Sequence, residues 1–246
     1  MKNMIILIAV FFFLFPFQIL RGAFLIDVES GYVLSGYNDA QVPQPEGDRF
    51  SLTDDLKTDG SIFGRLELGC NFSERHNIET LIAPLKLKAS GRLEKDISFL
   101  GTTYKAGSDV DATYRFDSYR LRYRYDLHKT EKTVFGLGLT AKIRDAEISI
   151  QDKNSKSTKL NTGFVPLINI HFKKKISDSI AILVSGDALA GGPGRAEDFI
   201  IAGLFDLNET WTLKTGYRIV EGGADVSEVY NFTALHYFVA GIQLHL

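Results

Sequence analysis

"SYRLRYRYDL", Ser118–Leu127, sets Arg120, Arg122 and Arg124 against Tyr119, Leu121, Tyr123, Tyr125 and Leu127 in strict alternation. Successive side chains of a β-strand point to opposite faces. The stretch is therefore a strand with one charged face and one apolar face. Which face meets water decides the class of protein. A soluble sheet hides the apolar face inside, and a strand that crosses a bilayer turns it outward.

The N-terminus bears on that choice. Lys2 is followed by an apolar run from Met4 to Leu20 and then by the small residues Gly22 and Ala23. This order is that of a secretory signal peptide, with cleavage after Gly22 or Ala23. The expected organisation is a leader over residues 1–23 and one domain over 24–246. No later run approaches the ~20 apolar residues of a membrane-spanning helix, so a membrane is crossed as strands. The net charge of −2 offers nucleic acid no basic surface. The single cysteine, Cys70, excludes an internal disulfide framework.

Period-two alternation recurs in about ten segments, near 24–37, 61–72, 77–89, 113–127, 132–150, 160–174, 178–189, 197–207, 210–221 and 230–246. Short turns at Ser73–His76, His128–Glu131, Lys174–Asp178 and Asn208–Thr210 alternate with longer loops. The longest are Asn38–Gly60 and Ser90–Ala112, with intermediate ones near 151–159, 190–196 and 222–229. Alternating loop length is the pattern of a transmembrane barrel with tight periplasmic turns and larger outer loops. The expected fold is an all-β, antiparallel up-and-down transmembrane barrel of about ten strands, with both termini in the periplasm.

Two strands suggest where the bilayer ends. Beyond Asp117 the apolar set shifts phase to Tyr114 and Phe116, and beyond Asp145 to Ala146, Ile148 and Ile150. A phase change read as a bulge marks the outer membrane surface. Aromatic residues fall in two groups. Phe135, Phe172, Phe205, Trp211 and Tyr125 lie by the short turns, and Tyr119, Phe164 and Phe232 by the loops. Two interfacial girdles are expected of such barrels. The final stretch, "HYFVAGIQLHL", alternates to the last residue, as outer membrane strands read by the assembly machinery do, although Leu246 replaces the usual Phe. A soluble lipocalin-like barrel would reverse the faces. Strand length, turn asymmetry and the C-terminal pattern argue against it.

The chain resembles the bacterial outer membrane β-barrels along its whole mature length. More narrowly, it is similar to an uncharacterised family of such barrels in "NDAQVP…FSLTDDL" (38–56), "TAKIRDAEI" (140–148) and "GYRIVEGGADVSEVYNF" (216–232). The resemblance implies fold and compartment, with outer membrane lipids, lipopolysaccharide and the assembly machinery as partners. It implies no activity.

If the apolar face meets lipid, alternation assigns a lumen. It takes Asp27, Glu29, Arg65, Glu67, Lys86, Lys88, Arg120, Arg122, Arg124, Asp126, Lys142, Arg144, Glu147, Asp187, Lys214 and Arg218. Asn169, His171, Gln243 and His245 join them. A narrow barrel cannot leave such charges unpaired. Arg120, Arg122 and Arg124 are expected to meet Asp27, Glu29, Glu67 or Asp187. The role that follows is structural, or a narrow passage for small solutes.

Two other classes remain. Glu221, Asp225 and Glu228 surround a Gly-Gly turn and form a candidate cation site. The acidic first loop, with Glu46, Asp48, Asp54, Asp55 and Asp59, offers divalent bridging to lipopolysaccharide or ligand binding at the surface. A hydrolase acting on lipid A or peptide at the outer rim would need His236 with Thr233 and Glu228. No nucleophile elbow, P-loop or zinc spacing is present, and no cofactor is implied.

Overall fold

The structure, a computed structural model, describes residues 23–246. Apart from Ala23, the expected leader and its cleavage point lie outside the described residues. Ala23 opens the first strand, β1 (Ala23–Gln41). The short β2 (Phe50–Ser51) and β3 (Lys57–Thr58) precede β4 (Ser61–Asn71), β5 (His76–Ala83) and β6 (Lys86–Arg92). A hairpin of β7 (Ile97–Phe99) and β8 (Thr102–Tyr104) follows. Then come β9 (Asp109–Lys129), β10 (Thr133–Gln151), β11 (Lys156–Lys175) and β12 (Ile180–Gly191). The last are β13 (Gly194–Asp206), β14 (Trp211–Val226) and β15 (Val229–His245).

Each long strand pairs antiparallel with the next, and β1 pairs with β15 from Leu25↔His245 to Gln41↔Tyr230, which closes the sheet. Because β5 and β6 form one wall strand against β9, the barrel has ten strands. Their shared register, Ala83↔Ser118 and Lys86↔Arg115, is interrupted only at Pro84–Leu85. Proline has no N–H to give to a ladder. The Leu85 N–H donates instead to the Asp117 carboxylate at 3.1 Å. Both ends of the described residues lie at the short-turn end, where the Phe24 N–H donates to the Leu246 carbonyl at 2.9 Å.

The strands at the long-loop end run further than alternation suggests. The expected intermediate loops are tight hairpins, because β10, β12 and β14 continue to Gln151, Gly191 and Val226. The expected phase change is also different in kind. The β9–β10 register runs unbroken from Asp126↔Gly136 to Asp111↔Gln151, with no bulge at Asp117 or Asp145. Even-numbered residues of β9 face inward throughout: Arg124, Arg122, Arg120 and Ser118, then Tyr114, Ala112 and Val110 are buried. The chemistry of the two faces changes while the strand stays straight. Below Asp117 the outside is apolar and the inside charged. Above it, Asp111, Arg115 and Asp117 face out and the inside is apolar. For a strand that crosses a bilayer, such an inversion falls at the membrane edge, where water replaces lipid outside. A bulge does occur in β1, where the register slips between Ser35 and Tyr37 around Gly36.

The apolar interior above the inversion is filled by the two long loops. Val42, Phe50, Leu52, Leu56, Leu93, Ile97, Phe99 and Tyr104 form one buried cluster with Leu87, Tyr114 and Ile150 of the wall. Phe50 and Phe99 meet edge to face at 5.9 Å, and the Tyr104 hydroxyl donates to the Ile150 carbonyl at 3.0 Å. At the rim of this cap, the Lys105 ammonium donates to Asp96 at 2.8 Å and holds its carboxyl below the usual carboxylate range. The long loops therefore fold as a lid with its own core.

Candidate functional site

The lumen below the lid holds one continuous ion-pair network. Arg120 bonds Asp187 at 2.8 Å and Asp198 at 2.7 Å. Arg122 bonds Asp187 at 2.8 Å, Glu79 at 2.6 Å and Glu67 at 3.2 Å. Arg124 bonds Glu79 at 2.7 Å and Asp126 at 3.0 Å. Across the lumen, Arg218 joins Glu29 at 2.8 Å to Asp198 at 2.6 Å. Arg65 joins the same two carboxylates at 3.4 and 3.0 Å. Lys214 reaches Glu29 at 2.6 Å and also bonds Asp27, which accepts from Gln243 at 2.7 Å. Asp187 is fully buried and accepts further bonds from Thr140 at 2.8 Å and Asn169 at 2.9 Å. Guanidinium forks suit this shared pairing.

Asp27 and Glu29, expected to meet Arg120, Arg122 and Arg124, pair instead with Lys214, Arg218 and Arg65. Two central acceptors, Glu79 and Asp198, are absent from the expected lumen residues. Asp198 sits on β13, where both faces are apolar below it, with Ile200, Ala202 and Leu204 inside and Ile201 and Phe205 outside. Alternation gives no direction there. Glu79 alternates with the exposed Ile78 and Ile82 and could have been found. Three expected lumen residues belong elsewhere. Lys86 and Lys88 are exposed on the outer face of β6, while Leu85, Leu87 and Ala89 point in. Glu147 bonds Arg115 at 3.4 Å on the outer face, beside Asp117 and Asp145, which bond Arg115 at 2.7 and 2.9 Å. All three lie above the inversion, where the inward face is the apolar one.

The network separates two chambers. The one at the short-turn end, about 280 Å³, is lined by Asp27, Glu67, Arg124, His171, Lys173 and His245 among others. The one at the long-loop end, about 400 Å³, is lined mainly by apolar groups, with Lys142, Arg144, Lys159, Arg195, Glu147 and Glu221 as its charged residues. A crevice of about 10 Å³ lies between Phe116 and Val220 of the outer chamber and Arg65 and Arg120 of the network. That is about the space of one water. Phe63 and Tyr237, edge to face at 4.9 Å, close it further.

The loop carboxylates do not converge. Glu221 is held by Arg195 at 2.7 and 2.8 Å and by the Tyr37 hydroxyl. Glu228 is exposed and lies 3.6 Å from Lys159. Among the described residues no group of three or more His, Cys, Asp and Glu side chains could hold a metal ion. In the acidic first loop, Asp48 caps the Ser98 N–H and Asp55 the Ser51 N–H, both at 2.8 Å. The rim histidine is not part of a triad either. His236 shares a 2.5 Å hydrogen bond with the Tyr217 hydroxyl, whereas Thr233 is buried and donates to the Tyr37 carbonyl at 3.1 Å.

No family model matches the chain, and no curated protein does. Solved structures do. The outer membrane protease OmpT from Escherichia coli aligns over 93% of this chain and 99% of its own, at 9% identity and a TM-score of 0.57. The fold is that of a bacterial outer membrane β-barrel. The transport unit of the autotransporter AIDA-I from Escherichia coli covers 95% of this chain and 93% of its own, at 7% identity and a TM-score of 0.48. Ail of Yersinia pestis covers 92% and 100%, at 8% identity and a TM-score of 0.42. In an outer membrane, a barrel of this fold sits with its belt of exposed apolar side chains against lipid. Its short turns and both ends of the described residues then face the periplasm, and its lid faces outward.

Proposed function

We propose that this barrel is a non-conducting scaffold, sealed at mid-membrane, whose working compartment is the outer chamber at the long-loop end, walled by β10 to β15. The observation that carries this is the ion-pair network with Phe63 and Tyr237 above it, which leaves a crevice of about 10 Å³. A passage for solutes would need these pairs to separate. Breaking a buried pair costs about 3–5 kcal/mol, and Arg120, Arg122, Arg218, Glu29 and Asp198 each have two or more partners. The lumen charges act as a polar core that fixes the ten strands around one another. Liposomes carrying the refolded barrel are expected to swell no faster in arabinose than empty liposomes. Sugar-dependent swelling above that background would reject a sealed lumen.

A further inference from the structure

The wall of the barrel is incomplete on one side. β11 and β12 pair only from Ile168↔Ala188 to Lys175↔Ala181. Above that level, β11 as far as Lys156 keeps β10 as a partner, and Leu189 to Gly191 keep β13, but the two do not pair with each other. Pro166, which has no N–H, occupies this unpaired edge, where proline is tolerated. The gap begins within the lipid belt. Phe164 pairs with Ile143, an exposed apolar residue below Asp145. An open sheet edge at membrane depth survives only where it lines a cavity that can satisfy its backbone. Both lips do line the outer chamber: Phe164, Val165 and Pro166 on one side, Leu189 and Gly191 on the other.

The floor of that chamber carries two cations outside the network. Lys142 is 4% exposed, forms no ion pair among the described residues, and lies over the Phe116 ring at 4.7 Å. Arg144 bonds the Asn161 side-chain oxygen, has no carboxylate partner among the described residues, and leaves its buried Nε without an acceptor there. Buried charges elsewhere in this barrel are paired, as burial requires. Above this floor, Tyr114, Ile148, Val220 and Val229 supply apolar wall. A volume of about 400 Å³ falls in the ~300–1,000 Å³ range of small-ligand sites.

We propose that the outer chamber binds a single-chain amphiphile with an anionic headgroup, admitted from the outer leaflet between β11 and β12. Lys142 and Arg144 take the carboxylate or phosphate, and the aliphatic chain lies along the apolar wall and leaves through the gap. The site is above the ion-pair network, so it stands or falls independently of whether the lumen is sealed.

The test is calorimetric titration of the refolded barrel, in a short-chain non-ionic detergent, with decanoate, decyl phosphate and decanol. Saturable one-to-one binding of an anionic probe, at least ten-fold tighter than decanol, is expected. Tighter decanoate would point to a free fatty acid as the natural occupant, and tighter decyl phosphate to a lipid-derived phosphate. Lys142→Gln with Arg144→Gln should weaken anion binding at least ten-fold. Leu189→Trp, at an exposed lip that does not touch the network, should also weaken it while the barrel keeps its heat-modifiable gel migration. No saturable binding, equal affinity for decanol, or unchanged affinity in either folded variant would overturn the proposal.

Discussion

Asp187→Ala is expected to lower the unfolding free energy of the refolded barrel by about 3–5 kcal/mol, the cost of breaking a buried ion pair from one side. Asp187 is 0% exposed and anchors Arg120 and Arg122, with Thr140 and Asn169 as further donors. Its removal takes a shared carboxylate from two buried guanidinium groups, leaving Arg120 with Asp198 and Arg122 with Glu79 and Glu67. The unfolding transition in urea, followed by fluorescence of the single tryptophan, Trp211, reads the loss. Combining Asp187→Leu with Arg122→Met should recover part of it, because replacing a buried pair by apolar groups is often neutral. An unchanged midpoint in Asp187→Ala would mean that the network carries no stability.

Leu139→Arg is expected to cost about 2–4 kcal/mol, as a cation on the lipid face does near the bilayer midplane. Leu139 is 68% exposed and sits midway between the short turn and the inversion at Asp145 on β10. A charge on the same outward face above the inversion should behave differently. Glu147 and Lys88 already occupy such positions, and Glu147→Gln should stay within about 0.5 kcal/mol. The same urea measurement compares the two. Equal costs at Leu139 and Glu147 would remove the evidence for a bilayer edge between them.

Much of this fold is legible in the residues because a barrel wall has only two faces. Arg120, Arg122 and Arg124 against Leu121 and Tyr123 define both faces of β9 without any tertiary information. The strand count follows from repeating that reading, and the closure follows from β1 and β15, whose Asp27, Glu29 and Gln243 share one side. The failures have a common cause. Alternation places Lys86, Lys88 and Glu147 in the lumen only on the premise that apolar residues always face outward. Above the bilayer the lid supplies an apolar interior, so the same polarity pattern means the opposite face. A straight strand through two solvents looks, in sequence, like a bulged strand through one.

The functional compartment was less legible. Lys142 and Arg144 appear in the alternation as two more lumen charges, and nothing local separates them from Arg120. Only long-range packing shows that the available carboxylates are already engaged by Arg65, Arg122 and Lys214. The gap between β11 and β12 has a single local trace, Pro166, in a stretch that otherwise alternates normally. Glu221, Asp225 and Glu228 show the converse. Their spacing gathers carboxylates in sequence, but the β14–β15 hairpin spreads them, and Arg195 occupies the one that points inward.

Single-channel recording of the refolded barrel in a planar bilayer is the most direct test of the sealed lumen. The expected result is a silent membrane after insertion has been verified, at every holding potential and salt concentration. Discrete steps that scale with salt would contradict it and show that the ion pairs open to form a conducting path.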